Sequence, residues 1–286
     1  MTQIFGVLGY PISHSRSPAM HGAALRELGI DALYVPLAVP PERLPQLVQA
    51  LRELGMPGVN VTLPLKTAIM PLVDTLTPAA RAVAAVNTVI NDNGTLIGDN
   101  TDAEGLARSL DAAGVPLAGA NVVVLGAGGA ARATAYGLAM RGAARIAIAA
   151  RKPAEAERLA RELAPSCGNT ALRGLALDAS DGFKLELSRA SLLVQSTSAT
   201  LEASPAQHSG AQAFAASLPL ESLPAHAAVV DLVYKPLETA VMARARQRGL
   251  KTVDGLGMLL HQGALAFERW TGRPAPLDVM RAALLK

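Results

Sequence analysis

The chain has 286 residues, 50% of them hydrophobic and only 3% aromatic, and carries a net charge of +3. That is enough for one large or two ordinary domains with cores of Ala, Leu and Val, which suit helix–sheet packing better than an aromatic-rich sandwich. Scattered basic residues without interleaved aromatics speak against a nucleic-acid patch, the single cysteine rules out an internal disulfide, and no apolar run reaches the length of a membrane span.

Along the chain, IFGVLG (4–9) reads as a strand after an N-terminus without the basic and long apolar regions of a secretory signal, so a soluble cytoplasmic protein is expected. SPAMHGAALRELG (17–29) reads as a helix with Ser17 as cap, Pro18 at its first position and Gly29 as stop. ALYVPL is a strand, PERLPQLVQALRELG (41–55) a helix, and GVNVTL a strand. TAIMPLV and PAARAVAAV suggest a helical pair. NTVINDNGTLIGDN (87–100) is a hairpin turning at Asn93-Gly94. DAEGLARSLDAAG (102–114) is a helix.

A second series begins with NVVVLGAGG, a strand running into a glycine turn, followed by a helix over 130–141. RIAIAA (strand) and PAEAERLARELA (helix) come next, then APSCGN, a loop that would carry Cys167 as a surface thiol. SLLVQST and AAVVDLV are strands, separated by a stretch (202–224) that reads as a long loop or broken helix able to serve as a lid. ETAVMARARQRG is a helix whose terminal arginines form a solvated face near the negative end of the dipole. KTVDG and two C-terminal helices complete the chain. The alternation of strands and helices argues for parallel sheets in an α/β protein.

Three places gather polar side chains where the pattern is otherwise apolar. In VNVTLPLK (59–66), Asn60 and Thr62 share one face of a strand, and Lys66 lies past the proline that should end it. In GYPISHSRSP, Ser15 and Ser17 stand in a turn before a helix, where hydroxyls and helix-start amides suit a carboxylate. In VVVLGAGGAARATAYGL, Gly126-x-Gly128-x-x-Ala131 follows a strand and opens a helix, the dinucleotide fingerprint in its G/A form. An NAD site expects an acidic residue at the end of the next strand; here stand Arg151 and Lys152, which suit the 2′-phosphate of NADP. Glu155 or Glu157 could instead swing round to accept a ribose 2′-OH, so NAD stays open. The five histidines form no ligand-spaced cluster, no metal is expected, and His14, His21 and His261 read as local hydrogen-bonders.

Taken together, HSRSP, GVNVTLPLK, AVNTV, GDNTD, GAGGAAR, DLVYKP and DGLGMLLHQGA resemble the shikimate dehydrogenase family, in order and across nearly the whole chain. The resemblance implies a two-domain α/β protein: an N-terminal catalytic domain (1–103 with 256–286), a Rossmann-type dinucleotide-binding domain (104–255), and an active site in the cleft between them. It implies hydride transfer between NADP(H) and shikimate or 3-dehydroshikimate, with NAD or quinate as alternatives. The partner is then a small cyclohexene carboxylate, with no nucleic acid and no membrane, and the protein a monomer or homodimer.

By matching position, Lys66 and Asp102 are the implied catalytic pair, and Ser15 and Ser17 the implied holders of the substrate carboxylate. Asn60, Thr62, Asn87 and Gln262 would meet the ring hydroxyls, with Tyr234 nearby. Gly126, Ala127, Gly128, Gly129 and Ala130 would cradle the pyrophosphate, Arg151 and Lys152 the adenosine phosphate, and Ser196, Thr197, Leu232 and Gly255 would complete the cofactor site. The chain departs from the family pattern at Ala150-Arg151-Lys152, at Gln195 in place of Asn, at LPLK, and at Ala103 in place of Gly. A dinucleotide-binding regulator that lost the chemistry is the other class of protein to weigh, and a sensor would need neither Lys66 nor Asp102.

Overall fold

The computed structural model describes residues 2–202 and 204–286. They form two compact units, Met1–Gly105 with Leu259–Lys286, and Leu106–Met258.

The first unit contains β1 (Gln3–Gly9), α1 (Ser17–Glu27), β2 (Ala32–Ala38), α2 (Leu44–Glu53), β3 (Gly58–Val61), the single turn α3 (Leu65–Ala68), β4 (Thr75–Leu76), α4 (Pro78–Val83), β5 (Thr88–Asp92) and β6 (Thr95–Asp99). The next helix, α5, is Asp102–Ala112. The sheet order is β2-β1-β3-β5-β6-β4. β1 pairs in parallel with β2 and β3, whereas β5 is antiparallel to β3 and β6. The parallel expectation holds here for β1 with β2 and β3 and for β4 with β6, and gives way only at β5, where the hairpin at Asn93-Gly94 reverses the chain in mid-sheet, both residues adopting positive φ (51° and 94°) as that tight turn demands. The short edge strand β4 lay unseen between the two predicted helices. One face of the sheet packs Leu8, Val59, Val61 and Val89 against Leu44, Val48 and Leu51 of α2.

The second unit alternates β7 (Asn121–Leu125), α6 (Gly129–Met140), β8 (Arg145–Ala150), α7 (Pro153–Leu163), β9 (Ala171–Ala176), α8 (Asp181–Arg189), β10 (Leu192–Gln195), α9 (Pro205–Ser217), β11 (Ala228–Asp231), α10 (Ala240–Gln247) and β12 (Lys251–Val253). All its strand pairs are parallel, in the order β12-β11-β10-β7-β8-β9. Counted from β7 this is the doubly wound 3-2-1-4-5-6 order, with its switch point between β7 and β10. A central strand of such a sheet is covered on both faces, which is why NVVVL is apolar throughout. Val122 and Val124 enter one core, Val123 and Leu125 the other. The chain continues through α11 (Gly255–Thr271) to α12 (Leu277–Leu285).

Several local expectations are corrected. The stretch 202–224 holds a 13-residue helix, α9, whose first turn is capped by the Ser204 hydroxyl accepting from the Gln207 amide. The terminal arginines of α10 are not merely solvated. Arg244 donates to the carbonyls of Ala215 and Leu218, and Arg248 to those of Leu220, Glu221 and Leu223, so both guanidiniums satisfy acceptors left open where α9 and the following turn end. Cys167 is buried in the core, and burial pushes its thiol up to about 11, the opposite of a surface thiol. Ser17 does not cap α1: Arg16 occupies that position without a side-chain bond, and the Ser15 hydroxyl accepts from the Ser17 amide at 3.3 Å.

Candidate active site

In the first unit, the polar residues of β3 and β5 meet because the two strands pair in register, Asn60 opposite Thr88. β3 ends at Val61, earlier than expected, and Lys66 sits on α3, whose start is fixed by the Leu65 amide donating to the Thr62 carbonyl at 2.9 Å. Asp102 opens α5, its backbone amide held by the Asn100 side chain at 3.1 Å. The Lys66 ammonium donates to Asp102 Oδ2 at 2.6 Å, the two side chains being 25% and 17% exposed. That is enough access for a ligand and enough shielding to strengthen the ion pair over a fully solvated one.

Asn87 fixes the carboxylate from its other side, donating to Asp102 Oδ1 at 2.8 Å and to Thr101 Oγ1 at 3.0 Å. Its own carbonyl accepts from the Thr101 amide at 2.8 Å and the Thr88 hydroxyl at 3.0 Å. Asn60 donates to the Asn87 backbone carbonyl and to Thr88 Oγ1, both at 3.2 Å, and accepts from the Tyr34 hydroxyl at 2.7 Å. A backbone carbonyl can only accept, so it sets which end of the Asn60 amide is the NH2. Both N–H groups of each asparagine are thus engaged within the unit. Tyr34 is buried, and that burial raises its phenol well above the ordinary value, opposed by a hydrogen bond with Ser17.

His21 lies flat against Tyr34, centroids 4.4 Å apart and planes within 2°. Among the described residues neither ring nitrogen has a hydrogen-bond partner, so His21 is no local hydrogen-bonder, and burial lowers its pKa to about 3. Gln262, on α11, packs at Gly105 and donates to the Leu259 carbonyl at 2.9 Å, while Thr62 donates its backbone amide to Leu8 at 2.8 Å. Ser15 is exposed.

In the second unit, the turn after β7 takes its shape from Gly126, whose φ is +110° and where a Cβ would lie 2.8 Å from Thr197 Cγ2 and 3.1 Å from Ser196 Oγ. At Gly128 and Gly129 an added Cβ would enter open space. α6 starts there with no side-chain cap, so its first amides point outward unclaimed by a capping group. This is a cradle a pyrophosphate fits and a side chain would fill. Ala127 and Ala130 flank those glycines.

Ser196 and Thr197 are tied down beside the turn. The Ser196 hydroxyl donates to the Leu125 carbonyl at 2.6 Å, and Gln195 Oε1 accepts from both the Thr197 amide (2.7 Å) and hydroxyl (2.8 Å). Gln195 also donates to Thr200 Oγ1 at 2.9 Å, and Thr200 and Thr239 donate to the buried Asp231 carboxylate. Burial raises the pKa of Asp231 against those hydrogen bonds. Leu232 follows β11, its carbonyl so close to Gly255 that a Cβ there would come within 2.2 Å of it. Tyr234 lies two residues further on, partly buried. Arg151 and Lys152 are exposed just past β8, and Lys152 pairs with Glu155 at 3.2 Å.

The structure thus joins Lys66, Asp102, Asn87 and Asn60 through hydrogen bonds in one unit, and Gly126, Ser196 and Thr197 through contacts in the other. Sequence reasoning missed Tyr34, Thr88 and Thr101. For Thr88 the one available signal was a hydroxyl at a strand position opposite another polar residue.

A bare glycine turn at the switch point of a doubly wound sheet is what dinucleotide-dependent oxidoreductases present, and fold and site place the chain in that class. Residues 7–89 match the shikimate dehydrogenase substrate binding domain, 107–203 shikimate / quinate 5-dehydrogenase, and 255–285 the shikimate 5′-dehydrogenase C-terminal domain. The chain is 47% identical to a shikimate dehydrogenase (NADP(+)) of Symbiobacterium thermophilum, over 99% of this chain and 94% of that one. Among solved structures, the shikimate 5-dehydrogenase of Thermus thermophilus in complex with NADP(H) and shikimate is 39% identical with a TM-score of 0.84, covering 99% and 98% of the two chains. A quinate dehydrogenase of Corynebacterium glutamicum in complex with NAD is 31% identical with a TM-score of 0.86, covering 99% of each. The chain belongs to the shikimate dehydrogenase family.

Proposed function

We propose that this protein is an NADP-dependent shikimate dehydrogenase, interconverting 3-dehydroshikimate and shikimate. The observation that carries the chemistry is the Lys66–Asp102 pair at 2.6 Å, in a chain whose relatives at this identity are NADP-dependent shikimate dehydrogenases.

When bound, the nicotinamide supplies or accepts the hydride; the chain's residues handle charge, proton and orientation. In reduction, negative charge builds on the ketone oxygen. The Lys66 ammonium stabilises that charge and donates its proton to the oxygen; in the reverse direction the neutral amine takes the alcohol's proton. Asp102, held by Asn87, aims the ammonium and balances its charge. Ser15 and Ser17 hold the substrate carboxylate, and Asn60, Thr62, Asn87 and Gln262, with Tyr234, surround the ring hydroxyls. The open backbone at Gly126 to Ala130 holds the pyrophosphate, with Ser196, Thr197, Leu232 and Gly255 lining the rest of the cofactor site. The Arg151 guanidinium meets the 2′-phosphate, with Lys152 adding charge. Residues 1–103 with 256–286 bind the substrate and 104–255 the cofactor.

The test is turnover of shikimate and of quinate, each with NADP+ and with NAD+. The expected result is the highest kcat/KM for shikimate with NADP+. A higher value with NAD+ overturns the cofactor assignment, a higher value with quinate overturns the substrate, and cofactor binding with no turnover of either acid makes the protein a regulator.

A further inference from the structure

We propose that Tyr34 and Thr88 are positioning residues for the reaction, joining Asn60 to the Lys66–Asp102 pair through one buried hydrogen-bonded chain. The inference rests on the function proposed above and adds two residues that touch neither substrate nor cofactor in that scheme.

The chain can be followed atom by atom. The Tyr34 phenol donates to Asn60 Oδ1 at 2.7 Å. The other end of that amide donates to Thr88 Oγ1 at 3.2 Å. The Thr88 hydroxyl donates to Asn87 Oδ1 at 3.0 Å. Asn87 Nδ2 donates to Asp102 Oδ1 at 2.8 Å, and Asp102 Oδ2 receives Lys66 at 2.6 Å. Thr88 is fully buried, and Tyr34, Asn60 and Asn87 are at most 8% exposed, so no bulk water competes for these bonds.

Two features make the chain directional. An amide that donates at one end and accepts at the other can turn only if every neighbour changes role, and the Asn87 backbone carbonyl cannot. Thr88 has one proton and accepts from Asn60; of the two oxygens facing that proton, Asn87 Oδ1 at 3.0 Å is nearer than Thr101 Oγ1 at 3.3 Å. Thr88 and the Thr101 amide together hold the Asn87 side-chain oxygen, and Asn87 fixes the carboxylate that aims the lysine. Tyr34 does the same for Asn60 from the other side, and its ring is held by the parallel stack with His21 and the tilted contact with Trp270. Bonds of this kind in a low-dielectric interior hold a catalytic group to the tolerance that proton transfer requires.

The experiment compares Thr88→Val, which keeps shape and removes the hydroxyl, with Thr88→Ser, which restores it, in the full-length protein. Thr88→Val is expected to lower kcat for shikimate oxidation by roughly tenfold, as misplacement of a reacting group by a fraction of an ångström does. KM for NADP+ should stay within about twofold, the pH profile of kcat should move, and Thr88→Ser should recover most of the loss. Tyr34→Phe reads the chain from its other end. It is expected to raise KM for shikimate about fivefold, the worth of one hydrogen bond, and to have no further effect once Asn60 is replaced by Ala. Wild-type kcat and an unmoved pH profile in Thr88→Val, equal loss in Thr88→Val and Thr88→Ser, or additivity of Tyr34→Phe with Asn60→Ala overturns the proposal. An inactive parent protein overturns the function on which it rests, and is read separately from the variants.

Discussion

At the scale of single residues, Lys66 carries the greatest chemical demand. It is the ammonium nearest Asp102, and the scheme asks it both to stabilise charge and to move a proton. Lys66→Ala is expected to lower kcat by about 10²–10⁴-fold, the range for loss of a positioned acid, while the dissociation constant for shikimate measured by calorimetry changes by only a few-fold. Loss of binding in step with turnover would assign Lys66 to substrate binding instead. The pair's partners show where sequence stops being informative. Lys66 and Asp102 stand in motifs that quote well, LPLK and GDNTD, because each lies at an element boundary in one short run of residues. Tyr34 and Thr88 stand in ALYVPL and NTVIND, which read as ordinary strand. Their importance comes from a partner on another strand, Asn60 of β3 for both, and pairing between strands is not written in either segment alone.

At the scale of elements, local signals succeeded where backbone demands are steep and failed where burial is shallow. The glycine turn, the Asn93-Gly94 hairpin and the doubly covered strands were legible because each imposes a dihedral or an apolar run. α9 was not: its buried residues are only Ala211 and Ala215, so it lacks the wide apolar stripe that marks a helix. β9 is silent for a related reason, ALRGLA showing no alternation of apolar and polar residues. The steep case gives a sharp expectation. Gly126→Ala places a side chain at φ +110°, with its Cβ 2.8 Å from Thr197. The left-handed backbone alone costs about 1–2 kcal/mol, and relief requires the turn to open and displace the amides of α6. NADPH affinity, followed by fluorescence, should fall at least tenfold, with KM for shikimate at saturating cofactor little changed. Retained affinity would mean that the turn is not where the pyrophosphate lies.

At the scale of the whole molecule, the two units respond to acid with opposite sign at their most buried titratable groups. His21 sits in the first unit with its folded pKa lowered to about 3 by burial. An unfolded chain takes up that proton near pH 6.5, so stability is complete above 6.5 and is lost as pH falls below it. At 1.36 kcal/mol per pH unit the loss reaches about 2 kcal/mol at pH 5. Asp231, in the second unit, has its pKa raised by burial, chiefly against the hydrogen bonds from Thr239. Its sign is reversed: keeping the buried carboxylate charged costs stability at neutral pH, and that cost is relieved as pH falls through the raised value. Exposed ion pairs such as Arg52–Asp74 and Arg132–Glu162 occur in both units and do not separate them. The first unit should therefore give way first in acid. Trp270, the sole tryptophan, lies 5.5 Å from the His21 ring and reports that unit alone. The urea midpoint read from its fluorescence is expected to drop between pH 7 and pH 5, while hydrogen exchange of β7 and β10, corrected for intrinsic rates, holds steady. His21→Phe, which keeps an apolar ring against Tyr34, should flatten the dependence of the Trp270 midpoint on pH even if it lowers the midpoint itself, because the slope counts protons and not packing. An unaltered slope in that variant would move the source of acid sensitivity from the buried imidazole to the surface carboxylates.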